Sequence, residues 1–227
     1  MSSPPAKSEL RASCVPLVEN KIHEVQGRLA ENLRRLDGYR QCRQIFVDPS
    51  LLLRQVRINA LIDGKELLMP AAGLKDGFYL LAPFSVPFKD LSFAVTYKGL
   101  TGYGKRLFVE DIPLLEISML VGESYAVDRE GARLGDGHGF FDLAAAILGE
   151  LKGLEENCQL IAAIDDPGKI VEAVPFDSWD VRCNSVVSPL KNHLLQDKSL
   201  VPSINWDALQ MEQIKRMSPL WRIYQKQ

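Results

Sequence analysis

Apolar residues along this chain recur at two spacings, and the switches between them mark an alternation of helix and strand. Over 19–36, Ile22, Val25, Leu29, Leu33 and Leu36 fall at steps of three and four. That lines one helix face, with Gly38 as its C-terminal glycine. A β-type run, Gln44–Val47, stops at Asp48-Pro49. Residues 51–62 read as helix ended by Asp63-Gly64, and 66–69 as strand before Pro70. Short strands are predicted at Phe78–Leu81 and at 93–96. Residues 115–121 are nearly all apolar, as in a strand covered on both faces. Helix is predicted over 139–151, ended by Gly153, and strands at 160–164, 170–174 and 185–187. Such alternation implies a three-layer α/β/α sandwich around a mostly parallel central sheet. The tail from Asn205, with Trp206, Leu209, Ile214, Met217 and Trp221, predicts a C-terminal helix docked on the body or on a second subunit. The expected organisation is an N-terminal segment over 1–18, disordered over its first six residues, an α/β domain over 19–189 and an extension over 190–227.

Composition narrows the class. The chain has 227 residues, 46% of them hydrophobic, enough for one sizeable core. A net charge of −2 and a pI of about 6.0 provide no global basic field for nucleic acid or an anionic membrane. No apolar run reaches the roughly 18 residues of a membrane span, and the opening MSSPPAKSEL lacks the apolar core of a leader peptide. Cys14, Cys42, Cys158 and Cys183 are scattered without C-x-x-C spacing, which reads as reduced thiols rather than a zinc site or a disulfide framework. The expectation is a cytoplasmic protein, monomeric or homodimeric, acting on a small molecule.

The candidate chemistry concentrates in Asp128 to Asp142, DREGARLGDGHGFFD, with glycines at 131, 135, 137 and 139. Glycines let successive N–H groups turn into a concave nest, and a helix starting there adds its unpaired N–H groups and positive dipole end. With Arg133 as a cationic fork, the segment reads as a phosphate cradle; a surface turn has the same glycine content. Asp142, in the first turn of the helix, either complements the dipole or holds a Mg²⁺ between itself and a polyphosphate. His138 either donates to phosphate or is an exposed loop residue. Lys7 and Arg11 sit four apart, on one helix face, and converge on an anion or on solvent. Gly99 to Arg106 fits G-x-x-x-x-G-K, but Arg106 stands where a P-loop needs Ser or Thr. No G-x-S-x-G or H-E-x-x-H occurs, so hydrolase chemistry has no support.

The residues Arg133-Leu-Gly-Asp-Gly-His-Gly-Phe-Phe-Asp142 resemble the R-L-G-x-G-x-G-Y-Y-D signature of the 5-formyltetrahydrofolate cyclo-ligase family, also called methenyltetrahydrofolate synthetases. Residues 126–131 are similar to its F-D-x-x-G lead-in, AKSELR at 6–11 to its K-x-x-L-R, and 171–175 and 184–189 to its V-E-x-I-P and D-x-V-V-T-P. Residues 56–78 look closest to a divergent branch that includes the methenyltetrahydrofolate synthetase domain-containing proteins. The resemblance implies an α/β/α enzyme that uses ATP and Mg²⁺ to convert 5-formyltetrahydrofolate to 5,10-methenyltetrahydrofolate, releasing ADP and phosphate. Carried over by motif, Lys7, Arg11 and Arg133 hold phosphate oxygens, and Gly135, Gly137 and Gly139 cradle them. His138 stands where the family often has Lys or Gly, Asp142 holds Mg²⁺, and Phe140 flanks the pterin where Tyr is usual. Arg133, His138 and Asp142 are the candidate catalytic residues. Trp179 replaces the usual His before Asp180, Asp136 adds negative charge to the loop, and Leu120-Val-Gly-Glu-Ser124 replaces the family's V-P-G. The alternative is a nucleotide- or folate-binding protein of the same fold without turnover.

Overall fold

The computed structural model describes residues 6–14, 19–195 and 199–226. Of the segment expected to be disordered, Ala6 is described, and its N–H donates to Glu9 at 3.2 Å; the rest lies outside the described residues. Helices are α1 (Lys7–Ser13), α2 (Glu19–Arg34), α3 (Asp37–Gln41), α4 (Arg54–Ile62), α5 (Leu91–Ala94), α6 (Tyr97–Tyr103), α7 (Phe140–Glu150), α8 (Met211–Arg216) and α9 (Ser218–Tyr224). Strands are β1 (Gln44–Val47), β2 (Glu66–Pro70), β3 (Phe78–Leu81), β4 (Lys105–Leu107), β5 (Ile117–Glu123), β6 (Ala126–Val127), β7 (Arg133–Leu134), β8 (Leu154–Ala163), β9 (Ser185–Val187) and β10 (Asn192–Leu194).

The main sheet runs β10-β9-β8-β5-β1-β2-β3-β4. Its centre, β9-β8-β5-β1-β2, is parallel, and β3, β4 and β10 add antiparallel edges. Alternate strand residues feed opposite layers. Ile45, Val47, Leu67, Met119 and Val121 pack with α2, α4, α5 and α6. Phe46, Leu68, Leu120, Leu160 and Ala162 pack with α7 and the C-terminal segment, through Ile204, Ile214, Met217, Leu220 and Ile223. This is the expected α/β/α sandwich. No helix among the described residues is long and apolar enough to cross a membrane.

Several elements differ from the expectation. Residues 93–96 are not a strand: α5 ends there, and the Thr96 hydroxyl accepts from Gly99 N–H at 3.2 Å to begin α6. A short apolar run does not by itself separate a buried strand from a buried helical turn. Residues 170–174 make one bridge, Ile170 to Val127, and no ladder; Val174 N–H is taken instead by Asp128 Oδ2 at 2.9 Å. Gly38 does not close α2 but sits within α3, where a Cβ would strike the Gln159 side chain. The left-handed residue after α7 is Lys152 (φ 58°), not Gly153. The C-terminal helix is two, broken at Met217 before Pro219, whose ring cannot continue a helix already under way.

Candidate functional site

Chain order reverses on either side of β1: β2 lies to one side and β5 to the other. At such a switch point the loops leaving the carboxyl ends of neighbouring strands part and open a crevice. A cavity of about 930 Å³ opens there, lined by Asp48 and Ser50 after β1, Ala71 after β2, and Glu123 and Tyr125 at the end of β5. Lys7, Arg11, the loop 135–139, Phe140 and Asp142 line it too.

The loop before α7 is built as a nest. Gly137 (φ 96°) and Gly139 (φ 69°) take left-handed backbone, the conformation from which nests are built at no Cβ penalty; between them, the His138 N–H donates to Asp136 Oδ1 at 2.9 Å. Gly139 caps α7 without a side-chain hydrogen bond, so the first N–H groups of this 11-residue helix add to the nest. Arg11 joins the loop directly: its Nε donates to the Gly135 carbonyl at 2.9 Å, and its Cζ lies 3.2 Å from where a Gly137 Cβ would be. Its remaining guanidinium nitrogens have no partner among the described residues.

Arg133, expected as a cationic fork for phosphate, is engaged within the protein. Its side chain is 3% exposed, and it donates to the Glu123 carbonyl (2.8 Å), to Ser124 Oγ (3.2 Å) and to Asp142 Oδ2 (3.1 Å). The Phe141 ring lies under its Cζ at 4.5 Å. Burial works against its charge, but Asp142, Cys183 and Asp48 together outweigh that and raise its pKa. Arg133 therefore pins the loop from beneath and orients Asp142. Asp142 Oδ1 also accepts from Val181 N–H at 3.1 Å, so both its oxygens are hydrogen-bonded while the residue lines the cavity. Mg²⁺ binds commonly through one or two carboxylates, with phosphate and water completing its shell. Asp142 fits as that one carboxylate, and no larger metal-ligating cluster occurs among the described residues.

Lys7 is likewise engaged. Its ammonium contacts Asp177 at 2.7 Å and also Asp180. Burial lowers its pKa, yet the two carboxylates prevail and raise it. Lys7 and Arg11 thus reach the same cavity, but to different partners. His138 is 69% exposed; its Nδ1 faces Asp136 Oδ2 at 3.1 Å, and its ring stacks on Phe140 with centroids 6.0 Å apart. The sequence 99–106 that mimics a P-loop is the end of α6 followed by β4, and Arg106 pairs with Asp76 at 3.0 Å.

The floor of the cavity carries groups the sequence reading missed. Burial, reinforced by Asp48 and Asp165 against Ser50 and Lys169, pushes the Glu123 carboxyl up to about 7. Burial also raises Asp48, although Ser50 N–H donates to its Oδ1 at 2.8 Å. The loop carrying Asp48 is held by Arg57, which donates to the carbonyls of Asp48 (2.6 Å), Ser50 (2.8 Å) and Val95 (3.1 Å). Burial lowers the Arg57 pKa to about 10. The available signal was position: both acids follow apolar runs that end as parallel strands.

A profile of the 5-formyltetrahydrofolate cyclo-ligase family matches residues 6–189. The chain belongs to the 5-formyltetrahydrofolate cyclo-ligase family. It is 25% identical over 211 residues to the human methenyltetrahydrofolate synthase domain-containing protein, covering 88% of this chain and 53% of that one. The zebrafish (Danio rerio) counterpart is 23% identical over 217 residues, covering 91% and 55%; the chain spans about half the length of these curated relatives. The Escherichia coli 5-formyltetrahydrofolate cyclo-ligase is 33% identical over 91 residues, 38% of this chain and 44% of that one. Among solved structures, the Aquifex aeolicus 5,10-methenyltetrahydrofolate synthetase superposes with a TM-score of 0.56 at 19% identity, covering 89% of this chain and 99% of that one. The Mycoplasma pneumoniae 5,10-methenyltetrahydrofolate synthetase gives 0.51 at 12% identity, covering 81% and 98%. At these identities the structural likeness speaks to the fold.

Proposed function

We propose that this chain catalyses the ATP-dependent closure of 5-formyltetrahydrofolate to 5,10-methenyltetrahydrofolate, releasing ADP and phosphate. The observation that carries this reading is the nest of Gly135, Gly137 and Gly139 at the start of α7, with Arg11 seated on it at the sheet's switch point. The family signature falls on that same loop. Phosphoryl transfer asks the protein chiefly for positioning and for neutralisation of charge. The nest N–H groups and Arg11 receive the ATP phosphates, and Arg133 holds the loop and Asp142 in place from below. Asp142 would hold Mg²⁺, which supplies charge neutralisation on the phosphates.

The formyl oxygen attacks the γ-phosphorus and ADP leaves. N10 then attacks the activated formyl carbon, loses its proton, and phosphate departs with the former formyl oxygen. Of the groups lining the cavity, Glu123 titrates near neutrality, which suits it to take the N10 proton. Phe140 and Trp179 present partly exposed rings to the cavity on which a pterin can stack.

The test is incubation with 5-formyltetrahydrofolate and MgATP, followed by the near-ultraviolet absorbance of the methenyl product; folded protein without product refutes the proposal. One observation favours a second reading, binding without turnover: two of the three cations expected to meet phosphate, Lys7 and Arg133, are already paired with carboxylates. Calorimetry that registers ATP or folate binding with no release of ADP would favour it.

A further inference from the structure

We infer that Lys75 and Arg216 form a second anion-binding end of the cavity, which takes the carboxylate-bearing tail of the folate; this rests on the folate reading above. Lys75 lies in the loop between β2 and β3, and Arg216 ends α8 in the C-terminal segment, beyond the family match over 6–189. Both line the cavity. Two contacts fix these elements together: Ser218 N–H donates to the Lys75 carbonyl at 2.9 Å, and the Pro219 ring lies 3.6 Å from where a Gly77 Cβ would stand. Met217, Leu220 and Ile223 anchor the segment in the core, so Arg216 projects from a packed wall.

Neither side chain has an ion-pair partner among the described residues, whereas nearby cations do. Arg106 pairs with Asp76 at 3.0 Å, and Lys226 with Glu110 at 3.7 Å. The nest and this cationic rim are joined by an aromatic step. His138 stacks on Phe140, and Phe140 Cζ lies 3.8 Å from the position of a Gly73 Cβ, two residues before Lys75. A ligand that reaches across this surface needs a flat ring over Phe140 and a negative group beyond it. A reduced folate has both: a pterin, and a glutamate whose carboxylates match a guanidinium fork and an ammonium. The chain thus assigns tail recognition in part to a segment outside the matched region.

The experiment is calorimetric binding to the full chain of 5-formyltetrahydrofolate and of a 5-formyltetrahydropterin lacking the aminobenzoyl-glutamate tail. It compares the unaltered protein with Lys75→Gln, Arg216→Gln and the double variant. The double variant should weaken folate binding by about tenfold, as for two partly exposed ion pairs, and the preference for the tailed ligand should shrink by the same factor. Folate binding whose preference over the tail-less pterin is unmoved in the double variant overturns this inference alone. Failure of the unaltered protein to bind either compound overturns the folate reading, and this inference with it.

Discussion

Glu123 makes stability depend on pH in a direction opposite to that of most carboxylates. Its ordinary value is 4.5 and burial raises it to about 7 in the folded chain. Below the lower value both states are protonated and the group contributes nothing. Between the two, the unfolded chain ionises while the folded chain keeps its proton, so stability falls as pH rises, and above the upper value the deficit is constant. At about 1.4 kcal/mol per unit, the deficit reaches about 3 kcal/mol at most. Glu123→Gln keeps the shape and removes the charge. Its stability relative to the unaltered protein should therefore rise by about 1–3 kcal/mol between pH 4.5 and pH 8. Urea denaturation at half-unit steps of pH measures the difference directly. Thermal melting should follow it, at roughly 2–4 °C per kcal/mol for a chain of this size. Because Asp48 contributes to the raised value, Asp48→Asn should move the midpoint of this dependence to lower pH. A Glu123→Gln difference that stays flat across the range, or that grows towards acid, would refute the reasoning.

Arg133→Ala should destabilise the fold by about 3–5 kcal/mol, because it strands Asp142 in a mostly buried place; nucleotide affinity must then be read on protein shown to be folded, and a melting temperature within a degree of the original would count against the buried pair. Asp142→Asn should lower both stability and Mg²⁺-dependent activity, since its oxygens accept from Arg133 and from Val181 N–H; denaturation beside activity at graded Mg²⁺ separates the two effects. Gly137→Ala meets both a left-handed φ of 96° and the Arg11 guanidinium, so a loss of about 1–3 kcal/mol together with weaker ATP binding is expected, checked by melting and calorimetry. Towards a thiol reagent, half-buried Cys14 should react first, while burial pushes the Cys183 thiol up to about 12 and raises Cys42 and Cys158; mass spectrometry of timed labelling should find those three modified only on unfolding.

The layers were legible because burial and periodicity are local. The run at 115–121 is mostly apolar because β5 is covered on both faces, and the residues 22–33 alternate as they do because α2 has one covered face. The glycine loop's backbone was legible for a similar reason. Left-handed backbone selects glycine residue by residue, so Gly137 and Gly139 announce their geometry without reference to any neighbour in space. Partnership is not local. Arg133 and Asp142 are nine residues apart, and Lys7 and Asp180 are 173 apart; folding decided that these charges meet one another before they meet a ligand. Strand order, which no periodicity encodes, set Asp48 beside Glu123 at the switch point and raised the acid that the sequence passed over. The tail showed enough apolar residues to predict docking, but only its packing on the β2–β3 loop carried Arg216 to the rim of the cavity. Local covalent constraint wrote the elements and the glycine loop into the chain, while the long-range packing of the sheet determined which charges are spent on structure and which remain free for chemistry.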